Sequence, residues 1–182
     1  MKTVTLSMAS VALAVFTAHA AYSTAPTMHF PAVAKYGGIV ALPDAAEPPR
    51  RGMKIAFDIV GEGKPTEVHK GLESVARYLN LHAQAGHSLQ DLQLALVLHG
   101  GATKVALHDA AFARRESVAG NPNSELIREL KRHGVGLYVC GQSLARNKLP
   151  PEDVAPEFTI AVSAMTFNAN RQQDGFSTLH IP

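Results

Sequence analysis

The sequence predicts an α/β protein, a three-layer α/β/α sandwich built on a mostly parallel five-stranded sheet. Two observations lead there. From Met53 onward, apolar runs of strand length alternate with segments of helical period, which is the rhythm of a parallel sheet. The connections between runs are also long enough to carry the right-handed helical crossovers that parallel strands require. The order of the strands does not follow from this pattern.

The first run, Ile55 to Val60, ends at Gly61-Glu62-Gly63 and suits a strand buried on both faces. Val68, Leu72, Val75, Ala76 and Leu79 then recur at helical spacing, with Thr66 as the expected cap and Gly86 as the stop. Leu92 to Leu98 reads as the second strand, broken by His99-Gly100-Gly101. A helical patch over about Ala102 to Ala113 precedes a better-marked helix. There Asn121 is the expected cap, Pro122 takes the first position, and Lys131, Arg132 and His133 complement the carboxyl end before Gly134. Val135 to Val139 is the third strand and runs into Cys140, followed by a helical turn over about Gln142 to Arg146. Phe158 to Val162, Ala164 to Gln172 and Phe176 to Ile181 complete the pattern as strand, helix and strand.

Two segments precede this domain. Residues 1–20 have the make-up of a secretory signal peptide: Lys2 is the charge, Val11 to Phe16 the apolar core, and Ala18-His19-Ala20 the small-x-small cleavage site. The apolar stretch is too short to span a bilayer. Cleavage there would place the mature protein in the periplasm or outside the cell, with no membrane span after processing. Residues 21–52 carry Pro26, Pro31, Pro43, Pro48 and Pro49 and no sustained period. They read as an extended arm whose apolar run Ile39 to Leu42 would either dock on a sheet edge or a neighbour or belong to a flexible linker.

Composition excludes some functions. The chain has 17 Lys and Arg against 15 Asp and Glu, so loss of Lys2 with the leader would leave sixteen against fifteen, a net charge of +1. No basic stripe interleaved with aromatics appears, which argues against nucleic acid as a partner. The nine histidines are scattered. His69, His82, His87, His108, His133 and His180 show no zinc spacing, so neither a metal nor another cofactor is expected. No Walker loop or serine-nucleophile elbow is present either.

Chemistry is expected at the carboxyl ends of the strands, because ligands of open α/β sheets bind there. Strand one ends near Asp58 and Gly61, strand two at His99-Gly100-Gly101, and strand three at Cys140-Gly141. Cys140 is the single cysteine of the chain, so it has no intramolecular disulfide partner. A thiol beside the amino end of a short helix has its thiolate stabilised, and a nearby cation such as Arg146 would add to this. His99 ends the neighbouring run and is the candidate base for the thiol. Gly100, Gly101 and Gly141 would let a ligand approach the backbone closely. The competing readings are a buried cysteine acting as a small hydrophobe and a plain strand-terminal histidine.

The segments Met53-Lys54-Ile55-Ala56-Phe57-Asp58, Leu98-His99-Gly100-Gly101-Ala102, Val139-Cys140-Gly141-Gln142-Ser143-Leu144 with Leu149-Pro150-Pro151-Glu152-Asp153, and Gln172 to Ser177 near a terminal Ile-Pro resemble the DsrE/DsrF-like family. The resemblance runs over residues 53–182 and is greatest to exported members of the family, which carry an arm like Tyr36 to Ala45. It implies a five-stranded sheet flanked by helices, assembly as a trimer or hexamer, and, in the sulfur-relay branch, a cysteine at the position of Cys140 that carries sulfur as a persulfide. A sulfur donor or acceptor protein would then be the partner. Two functions follow from these residues: a sulfur carrier working through Cys140, or a non-catalytic oligomeric binding module in which the cysteine is structural.

Overall fold

The computed structural model describes residues 26–182. The leader expected over residues 1–20 lies outside the described residues. Five strands form one sheet: β1 (Lys54–Ile59), β2 (Gln93–Leu98), β3 (Gly136–Cys140), β4 (Thr159–Ala161) and β5 (Ser177–Ile181). Their order is β4-β3-β2-β1-β5, and every neighbouring pair is parallel. The α/β sandwich expected from the alternating runs is therefore the fold, with an entirely parallel sheet.

Five α-helices connect the strands: α1 (Lys70–Gln84), α2 (Asp109–Glu116), α3 (Ser124–Arg132), α4 (Gly141–Arg146) and α5 (Ala164–Gln173). The two faces of the sheet are covered unequally. On one, Ile55, Phe57, Ile59, Leu96, Leu98 and Leu137 pack against Leu72, Val75 and Leu79 of α1, Phe112 of α2 and Leu126, Ile127 and Leu130 of α3. Successive strand residues face opposite sides, so the alternate positions Ala56, Ala95, Val97 and Cys140 line the other face, where Ala164 and Phe167 of α5 cover them.

Two helix starts differ from the expectation. Thr66 does not cap α1; His69 does, its Nδ1 accepting the Gly71 N–H at 3.0 Å while its Nε2 meets the Gly61 carbonyl at 2.9 Å. An imidazole nitrogen serves a free amide at a helix start as a hydroxyl does. Asn121 does not cap α3 either. Its amide donates to the carbonyls of Val105 and Leu107, and its Oδ1 accepts from the Asn123 N–H at 3.0 Å, so it ties the loop before α2 to the start of α3.

Part of the expected arm is packed within its own chain. Val33 and Ile39 are buried, and His29 bridges Ile39 in an antiparallel contact. The fully buried Asn80 of α1 organises the segment: Oδ1 accepts from the N–H groups of Ala32 (2.9 Å) and Val33 (2.8 Å), and Nδ2 donates to the carbonyls of Tyr36 (2.9 Å) and Gly37 (3.0 Å). Gly37 has φ +61°, and a Cβ there would stand 2.2 Å from the Arg77 backbone nitrogen. Side-chain hydrogen bonds to loop backbone leave no periodic signature, which is why the segment reads as unpacked from sequence.

Candidate functional site

The β1, β2 and β3 strands are neighbours, so their carboxyl ends bring Asp58, His99 and Cys140 to the same edge of the sheet. The pairing of Leu98 with Val139 puts His99 level with Cys140. Cys140 is both the last residue of β3 and the cap of α4, its Sγ accepting the Ser143 N–H at 3.4 Å. The thiol is 4% exposed, among Ala56, Ala95, Val97, Ala164 and Phe167. Burial raises its pKa, but the Ser143 hydroxyl and the backbone N–H groups of Ala164, Ser143 and Gln142 oppose burial and leave the pKa below its ordinary value. The amino ends of α4 and α5 thus converge on one sulfur.

His99 is not the partner of this thiol. Its Nε2 stands 2.9 Å from Oδ1 of Asp58 on the neighbouring strand, in an alignment that makes an ion-pair contact without satisfying hydrogen-bond geometry. Asp58 also accepts from Asn168 of α5 (3.0 Å) and pairs with Nδ1 of His180 on β5 (2.9 Å). Burial raises the Asp58 pKa, and the contacts from Asn168, His180 and His99 more than reverse this, holding the carboxyl below its ordinary range. A half-buried carboxylate attracts an adjoining imidazole more strongly than a thiol does. Sequence reasoning missed His180 and Asn168 because they come from β5 and α5, which the strand order places beside Asp58.

The glycines have different neighbours from those expected. A Cβ on Gly100 (φ +56°) would meet Val60 Cγ2 at 2.8 Å, one on Gly101 would meet Glu62 Cβ at 2.8 Å, and one on Gly141 would meet the Ala161 carbonyl at 3.0 Å. The close approach is made by the chain's own loops. Gly100 also donates its N–H to Ser143 Oγ at 3.3 Å, joining the end of β2 to the start of α4. Arg146 is exposed and sits in the last turn of α4, about 9 Å of helical rise from Cys140, so it is not among the groups that stabilise the thiolate. Ser143 is the residue that takes that part. Its spacing of three from Cys140 is the usual one between a helix cap and the N–H it accepts from.

Among the described residues no three His, Cys, Asp or Glu side chains are arranged to hold a metal ion, and no helix is long and apolar enough to cross a membrane. The chemistry the site offers is that of a buried thiol whose ionised form is favoured by hydrogen bonds, beside a separate carboxylate–imidazole group.

No curated protein matches the chain. Among solved structures it is similar to a protein of unknown function, MTH1491 from Methanobacterium thermoautotrophicum, at 17% identity and a TM-score of 0.54, covering 71% of this chain and 99% of that one. It is also similar to the ychN protein from E. coli, at 17% identity and a TM-score of 0.48 over the same shares of the two chains. The first likeness shows a shared fold. A family model matches residues 68–181, which takes in α1 through β5 and, at the thiol, Cys140, Ser143 and Ala164. On that match the chain belongs to the DsrE/DsrF-like family, a family associated with sulfur relay.

Proposed function

We propose that the protein is an exported sulfur carrier that holds sulfane sulfur as a persulfide on Cys140. The observation that carries this reading is the placement of the buried Cys140 Sγ at the amino end of α4, where it accepts the Ser143 N–H at 3.4 Å and where the surrounding donors hold the thiol pKa below its ordinary value despite burial. Donors arranged to reverse the effect of burial favour the thiolate, the form that attacks sulfur. In loading, the Cys140 thiolate attacks the outer sulfur of a donor persulfide R–S–SH. A new S–S bond forms, the donor S–S bond breaks, and R–S⁻ leaves with the electron pair and takes up the proton lost by Cys140. In unloading, an acceptor thiolate attacks the outer sulfur of Cys140–S–SH and returns the Cys140 thiolate. No net oxidation occurs, so the cycle needs no redox partner.

A second reading is favoured by one observation, the 4% exposure of the thiol within an apolar cluster. On that reading the domain is a non-catalytic oligomeric binding module and Cys140 fills the space under α5. Iodoacetamide labelling across pH separates the two. The carrier requires an apparent pKa below the ordinary value and requires that Cys140→Ser, with the fold intact, takes up no sulfane sulfur from a persulfide donor. A pKa at or above the ordinary value, or a serine variant that still loads, leaves the binding module. Export rests on residues 1–20, and mass spectrometry of the periplasmic protein is expected to show a chain beginning near Ala21. An intact Met1 on cytosolic protein would overturn it.

A further inference from the structure

A cavity of about 880 Å³ lies far from Cys140. Helix α1 runs back along the sheet, so its last turn stands near the amino-terminal edge, opposite the thiol. There residues of the loop from Val40 to Arg50 face the last turns of α1, and Leu42, Pro43, Pro49, Met53 and Leu81 are among the apolar side chains of the wall. Leu42 (56%) and Leu81 (39%) are among the exposed large apolar side chains. Small-molecule sites typically enclose roughly 300–1,000 Å³ and combine an apolar wall with a few fixed polar groups.

The wall includes one such group. His82 is 1% exposed, and its ring stacks on Tyr78 with centroids 4.7 Å apart. Nδ1 faces Nδ1 of His87 at 3.4 Å, and Nε2 has no hydrogen-bond partner among the described residues. Burial first, and then the adjoining His87, hold the His82 pKa below its usual value, which favours the neutral ring. In one tautomer Nε2 accepts, and in the other it donates. A hydroxyl satisfies either. A carboxylate satisfies only the second and would leave its charge against an apolar wall. At the rim, Arg50 is already paired with Glu47 at 2.9 Å.

We infer that this cavity binds an uncharged, largely apolar small molecule whose hydroxyl group meets Nε2 of His82. The test uses the fluorescence of N-phenyl-1-naphthylamine on the purified protein, with 1-dodecanol and methyl dodecyl ether as competitors. The probe is expected to bind, and the alcohol to displace it at about three- to tenfold lower concentration than the ether, the difference one neutral hydrogen bond makes. Ala85→Trp places an indole in the cavity from an exposed position at the end of α1 and is expected to abolish binding without lowering the melting temperature. His82→Phe keeps the stack on Tyr78 and is expected to keep probe binding while making the two competitors equal. Failure of the probe to bind, or binding unchanged by Ala85→Trp, overturns the proposal. So does an alcohol preference that survives His82→Phe, which would place the hydroxyl elsewhere. Binding that appears only on dilution overturns it too, since a second copy of the chain would then be the natural occupant.

Discussion

Oδ1 of Asp58 and Nε2 of His99 stand 2.9 Å apart across neighbouring parallel strands, and the same carboxylate holds His180 on the far side, so one side chain links β2, β1 and β5. Removing it by Asp58→Ala takes the acceptor from Asn168 and His180 and the counter-charge from His99. The expected loss is about 3 kcal/mol, from charge-assisted hydrogen bonds and stranded partners together, measured by urea unfolding. The sign with pH follows from the lowered pKa. The carboxylate's contribution is complete above the ordinary value of 3.8 and is lost as pH falls through the lower folded value. The gap between wild type and variant is therefore expected to be constant near neutrality and to close in acid; a gap that widens in acid contradicts it.

Ser143 acts on the thiol through both its hydroxyl and its N–H. Ser143→Ala removes the first and keeps the second, so the Cys140 pKa is expected to rise and alkylation at pH 7 to slow by about three- to tenfold. Arg146→Ala is expected to leave the rate unchanged, because that side chain lies at the other end of α4. Because the folded pKa is lowered, the thiolate's stabilisation is full above the ordinary value of 9.0 and declines as pH falls through the folded value. Melting temperatures of wild type and Cys140→Ala, followed from pH 10 down to 6, are expected to converge.

Asn80 offers a test of the packed segment 32–37. Asn80→Ala takes the acceptor from the N–H groups of Ala32 and Val33 and the donor from the carbonyls of Val33, Tyr36 and Gly37, and is expected to cost about 3 kcal/mol. Asn80→Asp keeps the acceptor but turns the donor into a second acceptor facing the carbonyls of Tyr36 and Gly37, and is expected to cost more. Limited proteolysis reads the local effect: both variants should be cut between Phe30 and Gly38 faster than wild type. Equal cutting rates would show that Asn80 does not hold the segment.

The strands and their order in the chain were legible because double-sided burial writes continuous apolar runs such as Ile55 to Ile59 and Leu94 to Leu98. Cys140 was legible for the same reason, as the polar end of such a run. What could not be read depends on which strands are neighbours. Asp58 meets His180 only because β5 pairs with β1, and His99 turns to Asp58 because β1 lies on its far side from Cys140. The helix starts were misjudged at Thr66 and Asn121 because His69 and the loop carbonyls compete for the same groups, and side-chain capping is set by local geometry that composition does not encode. Gly100, Gly101 and Gly141 are expected from sequence to admit a ligand, whereas the close approach found at each is by Val60, Glu62 and Ala161 of their own chain.

The edge strand β4 and the start of α5 leave Ile160 (42%), Val162 (75%) and Met165 (80%) exposed beside the segment that covers Cys140. Apolar side chains this open, on a sheet edge with unpaired backbone groups, favour burial against another subunit. We expect the protein to assemble as a trimer or hexamer through this face, with light scattering giving a multiple of the monomer mass at micromolar concentration. Val162→Glu and Met165→Glu place charges where neither side chain touches the core, so they should lower the mass to that of the monomer while changing the melting temperature of the separated chain little. The same variants report on the thiol. If the assembly seals the α5 amino end, alkylation of Cys140 should quicken on dissociation, whereas a rate that ignores the oligomeric state would mean that each chain controls access to its own sulfur. A monomeric wild type at micromolar concentration would remove the face as an interface, since an interface of standard size holds together there.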